Sequence, residues 1–426
     1  MMIWFGKCLF MVLLYFLVWN TEANAAPIFS GNCSQANVQA AINSANSGDT
    51  VIIPSGTCSW NSKLTIGKSI NVVGAGIGNT VIIDNVSKDS MIIIGNQGAA
   101  INPRISGMTI SGSASKSGFA GIIEVRNSSV SLGFRIDHIR FYNPANIGIV
   151  TWDWVFGVID HCTFDAGAGS GWSILFNNDS WGGRSYDYGD KAWADPDDFG
   201  TYKFVFVEDC TFNNSRSYIR TFTDSYGGAR YVLRFNTFNN GALVAHGTDS
   251  TPGRRGTRAI EVYNNKFVNN LSHIDNALEF RSGTAVFYNN AASGSGGYDG
   301  GVALKCFRDN GNYWATWGPC DGTTYYDGNL PGESGYPCLD QPGRGVGDLM
   351  RSGSDPQPHS WPYQALSPVY IWGNTGFENG EGGATSTRVQ ENRDFYLSAK
   401  PGYSAYTYPH PLTVTLNSPR NVGIIN

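Results

Sequence analysis

The sequence predicts an all-β chain wound as a parallel β-solenoid, and three observations carry that prediction. The first is a degenerate repeat of short apolar strands ending on Phe: Ile136 to Phe141, Ile159 to Phe164, Val207 to Phe212, Leu233 to Phe238 and Val262 to Phe267. The intervals between those Phe residues are 23, 48, 26 and 29, so one unit is about two dozen residues and the 48 holds a pair of units or a long insertion. The second is turn chemistry. The 426 residues include 53 Gly and 38 Asn, and these are the residues that tolerate left-handed backbone. The third is the absence of a 3.6-residue apolar period between the strands. A unit this short cannot bury its own apolar face, but stacking it on its neighbours at about 4.8 Å builds a continuous core with like residues on like. Propeller blades need about 40 to 45 residues and antiparallel hairpins, so that architecture is excluded.

The elements follow in chain order. Residues 1 to 25 read as an export signal, with Lys7, an apolar run from Cys8 to Trp19 and Ala23-Asn24-Ala25 as a cleavage site. The expected protein is therefore secreted, and no later run reaches the roughly 18 apolar residues that spanning a membrane needs. Residues 26 to 426 form one expected domain, a monomer. Residues 35 to 60 make its N-terminal cap, with an amphipathic helix over about Gln35 to Asn46 and a Cys33–Cys58 disulfide. Cys162 and Cys210 fall at equivalent repeat positions and are expected stacked, buried and reduced. In a loop-rich stretch holding Cys306, Cys320 and Cys338, Cys320–Cys338 is the expected bridge. Residues 179 to 202 and 313 to 350 read as inserted loops, and 384 to 426 as a C-terminal cap. His138 and His161, each after an Asp, are expected to serve turn backbone rather than a metal. The acids from Asp187 to Asp198 lack the spacing of a defined Ca²⁺ loop.

Composition narrows function. Charged residues make up 15% of the chain and the formal charge is −5, which excludes a surface built to trap nucleic acid. Strands expected over Ser217 to Phe222, Ala242 to Gly247, Ala277 to Ser282 and Val302 to Phe307 alternate inward and outward residues. Arg220, His246, Glu279 with Arg281, and Lys305 then point outward. On consecutive coils these would form a column, in a chain with few charges to place.

The stretches Val38 to Asn43, Gly48 to Thr57, Leu64 to Ile66 and Ile70 to Gly76 resemble the opening of pectin-lyase-like right-handed parallel β-helix proteins. With the repeat, the resemblance covers roughly residues 35 to 310. It implies a right-handed helix closed by an N-terminal helix, with a polysaccharide as partner; the outward column, one carboxylate among basic groups, favours an anionic one. The group holds lyases, hydrolases, epimerases and adhesins, so the fold does not choose among them. Eliminating across a uronate requires a cation for the C6 carboxylate, a base for the C5 proton and a donor for the leaving O4. The group's general chemistry implies Arg220 and Arg281 for the first task, Lys305 as base and His246 as the alternative base or acid. Glu279 would orient Arg281 or, with Asp249, hold a Ca²⁺ that bridges the substrate. Trp181 and Trp193 are candidate walls of a groove, and Arg255, beside Arg254 and Arg258, is a candidate contact to the polymer. The rivals are a glycoside hydrolase, using two carboxyl groups among Asp224, Asp249, Asp275 and Glu279, and a glycan-binding adhesin without catalysis.

Overall fold

A computed structural model describes residues 27–95, 99–112, 114–166, 171–183, 187–218, 220–247, 255–306, 338–347 and 364–414; for 128–132 it describes only the backbone. The export signal, Asp249, Arg254, Cys320 and most of the second expected insertion lie outside these residues. Every ladder between strands is parallel. The chain winds through three such ladders in turn, coil after coil, as a parallel β-helix.

The first ladder runs from Thr50–Ile53 and Asn71–Gly74 through Val205–Glu208, Arg230–Arg234, Ala259–Tyr263 and Thr284–Tyr288 to Val369–Trp372. The second carries the repeat read from the sequence. Phe141, Phe164, Phe212, Phe238 and Phe267 pair coil to coil. Their buried rings stack at centroid distances of 4.8, 4.7, 4.8 and 5.1 Å, the offset geometry that aromatic pairs favour. The 48-residue interval is one coil with a long insertion, because Phe164 pairs directly with Phe212. The third ladder contains Ile174–Asn177, Arg220–Tyr226, Gly241–Ala245, Ile274–Phe280 and Tyr298–Leu304.

The corner between the first and second ladders repeats one backbone conformation. His138, His161, Asp209, Phe235, Asn264 and Asn289 all have φ between 49° and 58°, and Gly373 has φ 67°. The next residue is Ile139, Cys162, Cys210, Asn236, Asn265, Asn290 or Asn374. The two Cys are buried at matching positions as expected, with the Cys162 N–H on Cys210 Sγ at 3.3 Å. The Asn form a buried ladder: each Nδ2 donates to the next Oδ1 at 3.0 to 3.1 Å and also to a carbonyl, while that Oδ1 takes the preceding coil's backbone N–H. His138 and His161 stack at 5.1 Å with Nδ1 on the Asp137 and Asp160 carboxylates at 2.8 and 3.0 Å, so their rings meet side chains rather than the turn backbone expected.

Helix α1 (Gln35–Ser44) closes the N-terminal end by burying Val38, Ala41 and Ile42, and the Cys33–Cys58 disulfide is present. Gln39 does a strand's work there. Its amide accepts from Thr65 N–H at 2.8 Å and donates to Thr65 O at 3.2 Å, which satisfies an edge otherwise open to another chain.

The C-terminal segment differs from the expected end cap. Residues 403–412 run back along the outer face of the first ladder and bury charged side chains there. Arg234 pairs with Glu208 at 2.6 Å and donates to the carbonyls of Tyr406 and Thr407 at 2.8 and 2.9 Å. Glu208 Oε1 accepts the His410 N–H at 2.9 Å, and the Tyr403 hydroxyl donates to Glu261. An exposed sheet of such residues would be wet. Here each charge is answered by an opposite charge or a tail carbonyl, which is what burial of a charge demands.

Candidate functional site

The third ladder's outer face carries the chemistry. Its register pairs Val244 with Glu279 and Glu279 with Ala303. Backbone bonds extend that register past the strand ends: His246 N–H to Ser225 O at 2.9 Å, Arg281 N–H to Ala245 O at 3.0 Å and Lys305 N–H to Phe280 O at 2.9 Å. Tyr226, His246, Arg281 and Lys305 therefore occupy one line on four consecutive coils, with Asp224 and Glu279 two residues earlier in their own coils. The inward residues are Leu243, Ala245, Leu278, Phe280, Val302 and Leu304, all buried, so alternation sets the outward direction of the rest. The line continues the other way through Asn177, paired with Tyr226, and then Trp152, paired with Arg126. Seven coils at about 4.8 Å give a track roughly 29 Å long.

Two clusters stand on this track. In the first, Asp224 Oδ1 faces His246 Nδ1. Asp224 is closed off from solvent, whereas the His246 side chain keeps 22% of its surface exposed. Burial pushes the Asp224 carboxyl up, against the pull of His246, the Ser225 N–H and Arg281. With the carboxylate accepting from Nδ1–H, Nε2 is the nitrogen left to act on a ligand. In the second, Glu279 bridges Arg281 and Lys305, the latter at 2.5 Å. Burial pushes the Glu279 carboxyl up, but Lys305 and Arg281 pull it down further and hold it below its ordinary value. Beside the line, Phe119 packs against Trp152, Trp172 and Tyr226 at centroid distances of 6.3, 6.3 and 5.4 Å and is itself 37% exposed. This aromatic shelf shares the face with the charged clusters.

Several expected site residues lie elsewhere. Arg220 is not in the line: the strand runs over Arg220–Tyr226 rather than 217–222, so Arg220 opens it opposite Gly241 and Tyr226 is the residue opposite His246. Its guanidinium is buried and donates to Gly171 O, and burial lowers it to about 10. Trp181 and Trp193 are buried rather than walls of a groove. Trp181 donates to Asp195 at 2.9 Å under the Arg230 guanidinium, and Trp193 donates to Gly256 O at 2.9 Å. Arg255 is fully engaged inside the protein, with Asp340 at 2.7 Å and Asp190 at 2.6 Å. Arg258 is buried beside Trp193, so neither described arginine of this loop offers the expected contact to a polymer. Three acids of the first insertion are answered by cations: Asp190 by Arg255, Asp195 by Lys191, and Asp198 by Lys203 and Arg230. Asp224, read only as a secondary carboxylate, and the shelf of Phe119, Trp152, Trp172 and Tyr226 are the site elements that strand alignment missed. The signal for Asp224 was its i,i+2 spacing to Tyr226 at the end of an alternating strand.

Glu279 has no room for the expected Ca²⁺ role as it stands, since its two oxygens are taken by Arg281 and Lys305. The surface recesses fall off the line; one is lined by Arg140, Tyr142, Asp165, Asn213 and Arg216 on the second ladder. A polymer needs an open track rather than an enclosed cavity, so the line of paired groups is the better guide to its site.

No protein-family model and no curated protein matches the sequence. Among solved structures, the chain is similar to the ORF18 protein of Geobacillus virus E2, at 17% identity over 63% of this chain and 58% of that one, TM-score 0.37. It therefore spans less than two thirds of that protein's length. It is also similar to an alginate lyase from Paenibacillus sp. strain FPU-7, at 14% identity over 65% of this chain and 94% of that one, TM-score 0.37. A third is a PL6 family polysaccharide lyase from Pseudopedobacter saltans, at 11% identity over 84% of this chain and 77% of that one, TM-score 0.37. At these values the reading of the site stands on its own geometry.

Proposed function

We propose that the protein is a secreted enzyme of the pectin-lyase-like kind, cleaving a uronate-containing polysaccharide by β-elimination along the third ladder. The observation that carries this is the alignment of His246, Arg281 and Lys305 on three consecutive coils, with Asp224 and Glu279 behind them. Arg281 and Lys305 suit a C6 carboxylate, which would take over the contacts Glu279 now makes; the planar guanidinium accepts a carboxylate on two nitrogens. Withdrawing charge from that carboxylate makes the C5 proton removable. His246 Nε2, oriented by Asp224, is the better base, and Lys305, already an ion-pair donor to Glu279, suits protonation of the departing O4. This inverts the roles expected from sequence. The shelf around Phe119 would hold neighbouring sugar rings by stacking.

A second reading is supported by the opposite shifts of Asp224, raised, and Glu279, lowered, the pattern of an acid and a base in a glycoside hydrolase. Incubation with pectate, alginate and glycosaminoglycans distinguishes them. Absorbance growing near 235 nm marks elimination. New reducing ends without that absorbance would refute the lyase and establish the hydrolase, and binding without product would leave an adhesin.

A further inference from the structure

Three successive coils bring His273, Asp299 and Glu378 to one corner, a full strand (Ile274–Phe280) away from Arg281. One donor atom from each lies within 4.8 Å of the others. We propose that these three side chains bind a divalent first-row transition ion, Zn²⁺ by its chemistry, which cross-links three coils of the helix.

Four features support a built site. His273 Nδ1 lies 3.0 Å from Gly296 O, so Nδ1–H donates there and Nε2 carries the lone pair that a metal takes. Asn379 Nδ2 donates to Asp299 Oδ1 at 2.9 Å, positioning the second ligand from its outer side. The loop carrying the third ligand is tied to the preceding coil by Glu378 N–H to Tyr298 O at 3.0 Å and Asn379 N–H to Asp299 O at 2.7 Å. Gly297, with φ +69°, admits Glu378: a Cβ there would come within 2.1 Å of Oε1.

Charge matches as well. A neutral imidazole and two carboxylates sum to −2, which a divalent ion cancels. His273 Nε2 and Asp299 Oδ1 sit 2.8 Å apart, so the two candidate ligand atoms already face one another. An imidazole nitrogen and only three protein ligands suit Zn²⁺, with water completing the tetrahedron; Ca²⁺ wants six to eight oxygens. The side chains are about 40% exposed, which leaves the ion a path in.

The test is calorimetric titration of chelator-treated, full-length protein with ZnCl₂, paired with thermal melts in Zn²⁺ or Ca²⁺. One Zn²⁺ per chain and a melting temperature raised by Zn²⁺ but not by Ca²⁺ are expected. His273→Ala and Glu378→Gln should each weaken binding at least about 100-fold, and Asn379→Ala about 10-fold. Absence of Zn²⁺ binding in the wild type overturns the site. So does binding that survives His273→Ala yet disappears in His161→Ala, which would move it to the stacked histidines. Polysaccharide cleavage plays no part in the readout, so the outcome is independent of the lyase reading.

Discussion

Asp224 and His246 lie on adjacent coils with the carboxylate against Nδ1 and the opposite ring nitrogen turned to the open track. One side chain is sealed and the other keeps 22% of its surface exposed, so in the proposed reaction the first would orient and the second would react. Asp224→Asn should therefore lower kcat by about 10²- to 10⁴-fold with little change in KM, since the amide favours the wrong tautomer. His246→Ala should cost a similar factor, and the double variant little more than either single one. Additive losses measured by steady-state kinetics would show that the two do not act as a unit.

Arg281 and Lys305 are both held by Glu279, so each is set in place before substrate arrives. Lys305→Ala and Arg281→Ala should each reduce kcat/KM by at least about 100-fold while the variant still folds, since the other cation continues to pair with Glu279. Full turnover in both variants would relocate the site.

Stability should carry two opposed pH dependences under the tail. Burial raises Glu261 to about 7, against the Gly200 N–H, Tyr403 and Arg234 that lower it. The folded state then holds a proton the unfolded state has released, so this stabilisation is full below about pH 4.5 and is lost as pH rises toward 7. Burial, with Arg234 and Arg135 nearby, lowers His410 to about 4. The unfolded state takes up the proton first, so that contribution is full above about pH 6.5 and is lost as pH falls toward 4. Each spans roughly 3 kcal/mol, and across pH 4.5 to 6.5 they offset each other. Glu261→Gln should leave stability rising with pH in that window, and His410→Gln should leave it falling. Urea titrations at pH 4.5, 5.5 and 6.5 read the sign directly; the same slope in both variants would contradict the assignment.

The ring stack and the amide ladder should be expensive to interrupt. Phe212→Ala removes a fully buried ring from between Phe164 and Phe238 and should cost about 3 to 5 kcal/mol. Asn265→Ala strips the acceptor from Asn236 N–H and the donor from Leu233 O, leaving buried polar groups unmet at about 1 to 3 kcal/mol each. Denaturant unfolding measures both, and a loss below about 1 kcal/mol in either would mean that the ladder bears little of the stability.

The Phe-ended strands were legible because like stacks on like: a ring at each coil leaves a periodic mark. The outward positions of His246, Glu279, Arg281 and Lys305 were legible for the same reason, since alternation within a strand needs no knowledge of its neighbours. Arg220 was not, because the strand begins at Arg220 instead of ending two residues after it, and alternation alone does not fix which residue of a strand meets His246 on the next coil. Trp181, Trp193 and Arg255 misled because aromatic and charged residues in an insertion look alike whether they face a ligand or one another. The partners that bury them are distant in sequence: Asp340 is 85 residues from Arg255. The tail's place on the first ladder left no periodic trace, because it contributes side chains and carbonyls to several coils without joining any of them.

That tail sets an order of events. Each coil can settle on the one before it as the polypeptide lengthens, needing only its predecessor. The face bearing Arg135, Glu208, Arg234 and Glu261 has to wait for residues 403–412, which emerge after every coil they cover. Folding along this chain is thus sequential nearly to its finish and then closes over most of its length in one step, so the interval before closure is when the nascent molecule is most open to proteolysis and to mispairing along that face.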